Sequence, residues 1–301
     1  MDVMRKIDRR RGAIDHEVTS LLWLAEAREH DPAAAAAVPV LAGGPTWLEE
    51  PRLRQAPATS AAAEAFGRAL AHTHAAGAPH LGCPPPGLGE QGWIGGAHLS
   101  LPARPTGLTW GAFHAEHRIL PHVDSTFTAP ERRQIEGLCE RLSSGAFDHD
   151  QPALVEAALS GDRVGVPAGN DEGGAGGTYR AARIHGDLWS GNVMWTDEGA
   201  VLIDPAAQGG HAESDLAALA LFGCPHLERI RAAYDEASPL APGWRERIGL
   251  HQLHLLTVHC QLFGRGYVAR AMEIVRGWMG TPTRRDSSAA RPRGRGRGRS
   301  R

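Results

Sequence analysis

No CxxC pair occurs in this sequence, and its four cysteines, Cys83, Cys139, Cys224 and Cys260, stand far apart. A zinc ribbon or a disulfide framework needs clustered or regularly spaced cysteines, so free thiols in a reducing compartment are expected. A surplus of charge is missing as well. Lys+Arg number 32 against 34 Asp+Glu, a net −2 that gives no reason to expect nucleic acid or an anionic membrane surface as partner. No apolar run is long enough to span a bilayer. The basic start, MDVMRKIDRRRG, is not followed by the apolar segment of a secretory signal. These absences together predict a soluble, cytoplasmic protein. The rest is ordinary globular composition, 42% hydrophobic and 22% charged. At 301 residues the chain can build one large domain or two modest ones.

The pattern along the chain predicts a short mixed segment followed by a mostly helical remainder. Val18, Leu21, Leu22, Leu24 and Ala25 give residues 17–29 an apolar stripe, and Asp31-Pro32 ends that helix. Short strands are expected at Val38–Leu41 and from Trp47, and residues 51–57 read as a linker. Residues 58–76 read as a helix capped by Thr59 or Ser60. Residues 77–105, rich in Gly and Pro, read as long loops. Helices are expected over 110–120, 130–142, 213–222, 227–236 and 243–279. The Gly-rich stretch at 161–177 is not followed by the Lys-Ser/Thr of a phosphate loop, so a surface loop is expected there. The terminal RPRGRGRGRSR is low-complexity and cannot build a core.

The chemistry concentrates between His185 and Asp215. His185-Gly-Asp187-Leu-Trp189-Ser-Gly-Asn192 leads into a strand, Gly199 marks a hairpin, and Val201-Leu-Ile-Asp204 returns. That topology puts Asp187, Asn192 and Asp204 at one open end of the hairpin. Two carboxylates and an amide oxygen there suit Mg²⁺, and phosphoryl transfer needs both a metal on the phosphates and a carboxylate to take the acceptor's proton. The five-residue step from Asp187 to Asn192, with a second Asp beyond the hairpin, is the spacing of a protein-kinase catalytic loop.

HGDLWSGN followed by LIDPA closely resembles the fructosamine kinase (ketosamine 3-kinase) family. GWIG at Gly92–Gly95, the stretch Trp110–Pro121, ESDLAAL from Glu213, PGWRER from Pro242 and HLLTVHCQLFGRGY from His254 agree with it. The resemblance covers roughly residues 3 to 279. It implies a protein-kinase-like, two-lobed α+β fold with a large helical carboxy-terminal lobe, and ATP-dependent phosphorylation of a ketosamine, small or protein-bound. Under it Asp187 looks like the catalytic base, Asn192 and Asp204 like Mg²⁺ ligands, and Trp189 like part of the sugar-binding wall. His185 is expected to shape the loop, and Asp215 to buttress it or cap a helix.

In the amino-terminal lobe, VMRK resembles the phosphate-binding Lys strand, with Lys6, or its neighbour Arg5, on the phosphates and Glu17 as its partner. Trp47-Leu-Glu49-Glu50 resembles the hinge that meets adenine. The expected boundaries are a partial nucleotide lobe over 1–56, a catalytic lobe over 57–281 and a tail over 282–301. Too few residues precede Val3 for the two strands and covering loop of such kinases, so a reduced amino-terminal lobe is expected. Two alternatives stay open: a kinase of the same fold acting on an aminoglycoside or amino alcohol, and an inactive or truncated form that binds without turnover. His72, His74, His80 and Cys83 are spaced poorly for a zinc site. His251, His254 and His259 read as ordinary helix positions.

Overall fold

The computed structural model describes residues 2–159 and 181–280; the Gly-rich stretch at 161–177 and the Arg/Gly tail lie outside the described residues. The chain opens with β1 (Val3–Ile7) and α1 (Ala13–His30). Asp31 ends α1, its side chain accepting the Ala33 N–H at 3.1 Å. Three strands follow: β2 (Ala36–Ala37), β3 (Ala42–Gly44) and β4 (Trp47–Pro51). The expected strand at Val38–Leu41 is displaced to β2, because Pro39 lacks the N–H a ladder needs. β1, β4 and β3 form an antiparallel sheet with β4 in the middle, pairing Lys6 with Leu48 and Arg5 with Glu49.

α2 (Ser60–Ala75) is capped by Thr59, whose hydroxyl accepts the Ala62 N–H. The Gly/Pro-rich stretch holds a hairpin, β5 (Gln91–Ile94) and β6 (Ala97–Ser100), where loops were expected. Its Gly95-Gly96 turn, with Gly95 at φ 53°, is one that glycine enters freely. α3 (Trp110–Phe113) continues as a wider π turn over His114–Ile119. α4 (Ala129–Ser143) starts with a reciprocal capping box between Thr128 and Glu131, and α5 (Ala153–Leu159) follows.

β7 (Ala182–Ile184), β8 (Val193–Thr196), β9 (Gly199–Leu202) and β10 (Gln208–Gly210) frame the hairpin region. β8 and β9 pair antiparallel, β2 adds to β9 in parallel, and β10 pairs with β7. The amino-terminal segment thus contributes a strand to the hairpin sheet. The helical part closes with α6 (Ala212–Leu219), α7 (Leu227–Ala237), α8 (Trp244–Phe263) and α9 (Val268–Met279). The single long helix expected over 243–279 is broken at Gly264, whose φ of 80° and ψ of −160° lie outside helical geometry.

One contiguous apolar core joins these elements, including Trp23 and Leu24 of α1, Phe66 and Leu70 of α2, and Leu253 and Leu256 of α8. α2 and α7 approach closely because position 67 carries no side chain. A Cβ there would lie 2.1 Å from the Ile230 carbonyl oxygen. Mid-helix Gly→Ala ordinarily stabilises by about 0.5–1 kcal/mol. Gly67→Ala should instead destabilise by roughly 1–3 kcal/mol, the usual cost of overpacking. Urea denaturation measures the sign, and a stabilised variant would contradict the close approach.

Candidate active site

The loop after β7 is built by two tight constraints. Gly186 has φ 82°, and a Cβ on it would meet the Ala206 carbonyl oxygen at 2.1 Å, so both conformation and space require glycine. Asp215, in the first turns of α6, accepts the backbone N–H groups of His185 at 2.7 Å and Gly186 at 3.0 Å. Its other contact is His74 Nε2 at 3.1 Å, and His74 is held in turn by the Tyr234 hydroxyl. Burial works to raise the Asp215 carboxyl, but the hydrogen bond and charge of His74, with His185, hold it below the ordinary range. His185 Nε2 faces the Ile203 carbonyl, which can only accept, so Nε2 carries the hydrogen and Nδ1 accepts the Asp187 N–H at 3.3 Å. That neutral ring, kept neutral by burial, is a strut within the loop.

Asp187, Asn192 and Asp204 come together at the open end of the β8–β9 hairpin. Asn192, in the turn before β8, donates through Nδ2 to the Asp187 backbone carbonyl at 2.8 Å and faces its Oδ2 at 3.4 Å. Asp204 sits at φ 54°, a left-handed conformation uncommon for a non-glycine residue, just beyond β9. Burial, followed by the charges of Asp215 and Asp204, pushes the Asp187 carboxyl up to about 7, with Asn192 opposing.

Lys6 reaches the same point from the other end of the chain. Its Nζ contacts both Glu17 of α1 and Asp204. Burial works against its charge, yet Glu17 and Asp204 outweigh it and leave the ammonium more stable than usual. Strand alternation puts the two neighbours on opposite faces of the sheet. Arg5 projects to the outer face, where it pairs with Glu49 at 2.6 Å and stacks over Trp47.

Two of the expected residues need correction. The Trp47–Glu50 stretch is the central strand of a sheet rather than a hinge. Residues 47–49 are paired with β1 and β3, and Glu50 with Met4, so this backbone is not free for a purine. Glu49 lies on the outer face, away from Lys6. Glu50 alternates inward, buried, with Oε1 lacking a hydrogen-bond partner. Its burial, with Lys6 opposing and Glu17 and Asp204 adding, pushes it up to about 7.

Two clefts meet at Asp187 and Trp189. One, of about 360 Å³, is bordered by Lys6, Arg10, Glu17, Asp187, Asn192 and Asp204. The other, of about 460 Å³, is bordered by Asp187, Trp189, Phe222, His259, Phe263 and Tyr267. Trp189 is 36% exposed and turned edge-on to Phe222, so it walls a cleft instead of filling the core. Gly191 makes room for the indole, since a Cβ there would lie 2.1 Å from the ring. Sequence reading passed over Arg10, which is paired with Asp8 and stacked on Trp93, and the aromatic wall from α8. It also passed over a plain signal: Lys6 is the sole lysine among 301 residues, every other basic position being arginine.

The fructosamine kinase family model matches residues 15–280. The chain belongs to the fructosamine kinase family. A Synechocystis protein classed as a ketoamine kinase is 31% identical over 218 residues, 70% of this chain and 60% of that protein. The mouse ketosamine-3-kinase is 38% identical over 95 residues, 32% of this chain and 30% of that enzyme. A solved Thermobifida fusca structure classed with the fructosamine-3-kinases aligns over 93% of this chain and 86% of its own, at TM-score 0.73 and 36% identity. The fold is thus the kinase-like α+β fold of that family. In the two curated comparisons the chain spans 30% to 60% of the relative's length.

The raised Asp187 carboxyl has a measurable consequence. Its folded value lies above the ordinary 3.8, so between about pH 4 and pH 7 the folded state keeps a proton that the unfolded state has lost. Stability contributed at this site therefore declines as pH rises through that window. With Mg²⁺ chelated, Asp187→Asn should be more stable than the parent at pH 8 by on the order of 1–3 kcal/mol, the difference vanishing near pH 4. Denaturant titrations at both pH values measure it, and an equal difference at both would contradict the shift.

Proposed function

We propose that this chain transfers the γ-phosphoryl group of ATP to a sugar hydroxyl of a ketosamine, a fructosamine or ribulosamine, free or protein-bound. The observation that carries the reading is that Asp187 borders both clefts, the charged one around Lys6 and the aromatic one around Trp189. Nucleotide phosphates suit the first and a sugar face suits the second.

In this reading Asp187 accepts the proton of the attacking hydroxyl, a role helped by a carboxyl poised near neutral pH. Lys6 meets the α- and β-phosphates while Glu17 holds its side chain in place. Asn192 and Asp204 offer hard oxygens beside Asp187, a donor set that fits Mg²⁺, which when bound would neutralise the β- and γ-phosphate oxygens. Trp189 presents an apolar indole face to the sugar, with Phe222 bracing it. Purine contacts fall to the irregular backbone after β4, at residues 53–55. Residues 1–56 act as the nucleotide lobe and 57–281 as the catalytic lobe. The setting is the cytoplasm, in keeping with four unpaired cysteines.

The aromatic lining favours a sugar over a polycationic aminoglycoside, which would call for carboxylates. Purified protein with Mg·ATP is offered a synthetic fructosamine, a ribulosamine, an aminoglycoside and an amino alcohol, and phosphate esters are identified by mass spectrometry. Ketosamines should be phosphorylated. Asp187→Asn should lose roughly 10²–10⁴-fold in kcat. Trp189→Ala should raise the ketosamine KM about ten-fold while leaving the ATP KM nearly unchanged. Transfer only to an aminoglycoside or amino alcohol would overturn the acceptor. Binding of Mg·ATP without transfer to anything would overturn the kinase reading itself.

A further inference from the structure

A second group of ligating side chains lies apart from both clefts. His149, His211, Glu213 and His251 each offer one ligand atom, and the four atoms lie within 4.8 Å of one another. They come from the loop before α5, the β10–α6 junction and α8. His149 Nε2, His251 Nε2 and Glu213 Oε2 form a triangle with edges of 3.2, 3.3 and 3.3 Å. A tetrahedral ion with bonds of about 2.0–2.1 Å demands ligand–ligand edges of roughly 3.3–3.4 Å.

Hydrogen bonds outside the triangle orient both of its imidazoles. His149 Nδ1 lies 2.9 Å from the Phe147 carbonyl oxygen, which only accepts, so Nδ1 carries the ring hydrogen. In that tautomer Nε2 presents its lone pair to the triangle, where an ion could take it. A neutral His251, with Ser214 Oγ at 2.9 Å from Nδ1, has one Nε2 hydrogen to share between His149 and Glu213.

We propose that His149, His251 and Glu213 bind a divalent transition metal of the zinc class, with a fourth position left to water, since His211 spends Nε2 on the Asp150 carbonyl and Nδ1 on the Glu213 N–H. Two imidazoles and a carboxylate are a borderline-soft donor set that suits Zn²⁺ and is distinct from the all-oxygen set beside Asp187. Arg247 grips both Glu213 oxygens, at 3.1 and 2.6 Å. It orients the carboxylate as an outer partner does, though its positive charge opposes the ion. Asp148, Asp150 and Glu246 border the open cleft through which His149 is reached, and their charge offsets that opposition. The ion would fasten the start of α6 to α8. Asp215, which holds the catalytic loop, is two residues beyond Glu213 on α6.

The test uses the full chain, stripped with chelator and then titrated with ZnCl₂ or CoCl₂. The proposal expects one tightly bound zinc per chain by elemental analysis and a visible Co²⁺ spectrum of tetrahedral type. It also expects a Tm raised by about 3 °C or more at saturating zinc. Glu213→Gln would also break the Arg247 pair and could unfold the protein, so His149→Ala carries the comparison. That variant, folded by circular dichroism, should lose the cobalt spectrum and the zinc-induced shift. No stoichiometric zinc and no cobalt spectrum in the parent would overturn the site, as would unchanged zinc binding in folded His149→Ala. Tm that depends on pH but not on metal would identify a protonated His149 in the triangle and overturn it equally.

Discussion

Lys6 is held between two carboxylates that come from distant parts of the chain, Glu17 on α1 and Asp204 beyond β9. The cleft depends on this contact. It ties the first strand to the β8–β9 hairpin, and it does so with charge in a half-buried place where unpaired charge is costly. Remove the ammonium and the carboxylates of Glu17 and Asp204 would lose the cation that they share. The same cluster is what a polyphosphate needs. A lysine whose charge is secured by a carboxylate partner stays charged when an anion arrives, and acids nearby leave room for a divalent cation to join.

The other half of the site depends on α6. Asp215 takes two consecutive backbone N–H groups of the loop that carries Asp187, and Gly186 lets that loop press against Ala206. The position of Asp187 is therefore set by a buried carboxylate and a glycine, neither of which touches the clefts. Buried hydrogen-bonded networks of this kind specify geometry because every member must be satisfied at once. His74 and Tyr234 extend the network into α2 and α7, where Gly67 brings the helices together.

The hairpin with its three polar residues was legible because HGD, Asn192 and Asp204 are local: a strand, a turn and a return strand fix their relation. Long amphipathic helices such as α2, with its Thr59 cap, and α4 were legible for the same reason. At residues 47–50 the strand expected from Trp47 forms as β4, while the hinge role came from the family resemblance and not from the residues themselves. The β5–β6 hairpin was hidden by the glycines and prolines around it, although its two-glycine turn was the clue. His72 and His74 point to different partners, Asp31 and Asp215, so their closeness in sequence meant nothing. The triangle of His149, Glu213 and His251 could not be read from spacing, since only tertiary packing brings those positions together. Composition sets Lys6 apart from Arg5, since it is the one lysine of the chain and a lysine offers a point charge where arginine offers a broad planar head.

That composition also makes the central claim directly measurable. An amine-acylating reagent can modify Lys6 and the terminal amine but no other side-chain amine, so peptide mass spectrometry follows Lys6 by itself. If the Lys6–Glu17–Asp204 cluster is where nucleotide phosphates bind, saturating Mg·ATP should slow acylation of Lys6 by about ten-fold or more, as expected for a site almost fully occupied. The terminal amine should react at an unchanged rate. Undiminished acylation of Lys6, in a sample where calorimetry shows Mg·ATP bound, would place the phosphates elsewhere and contradict the account.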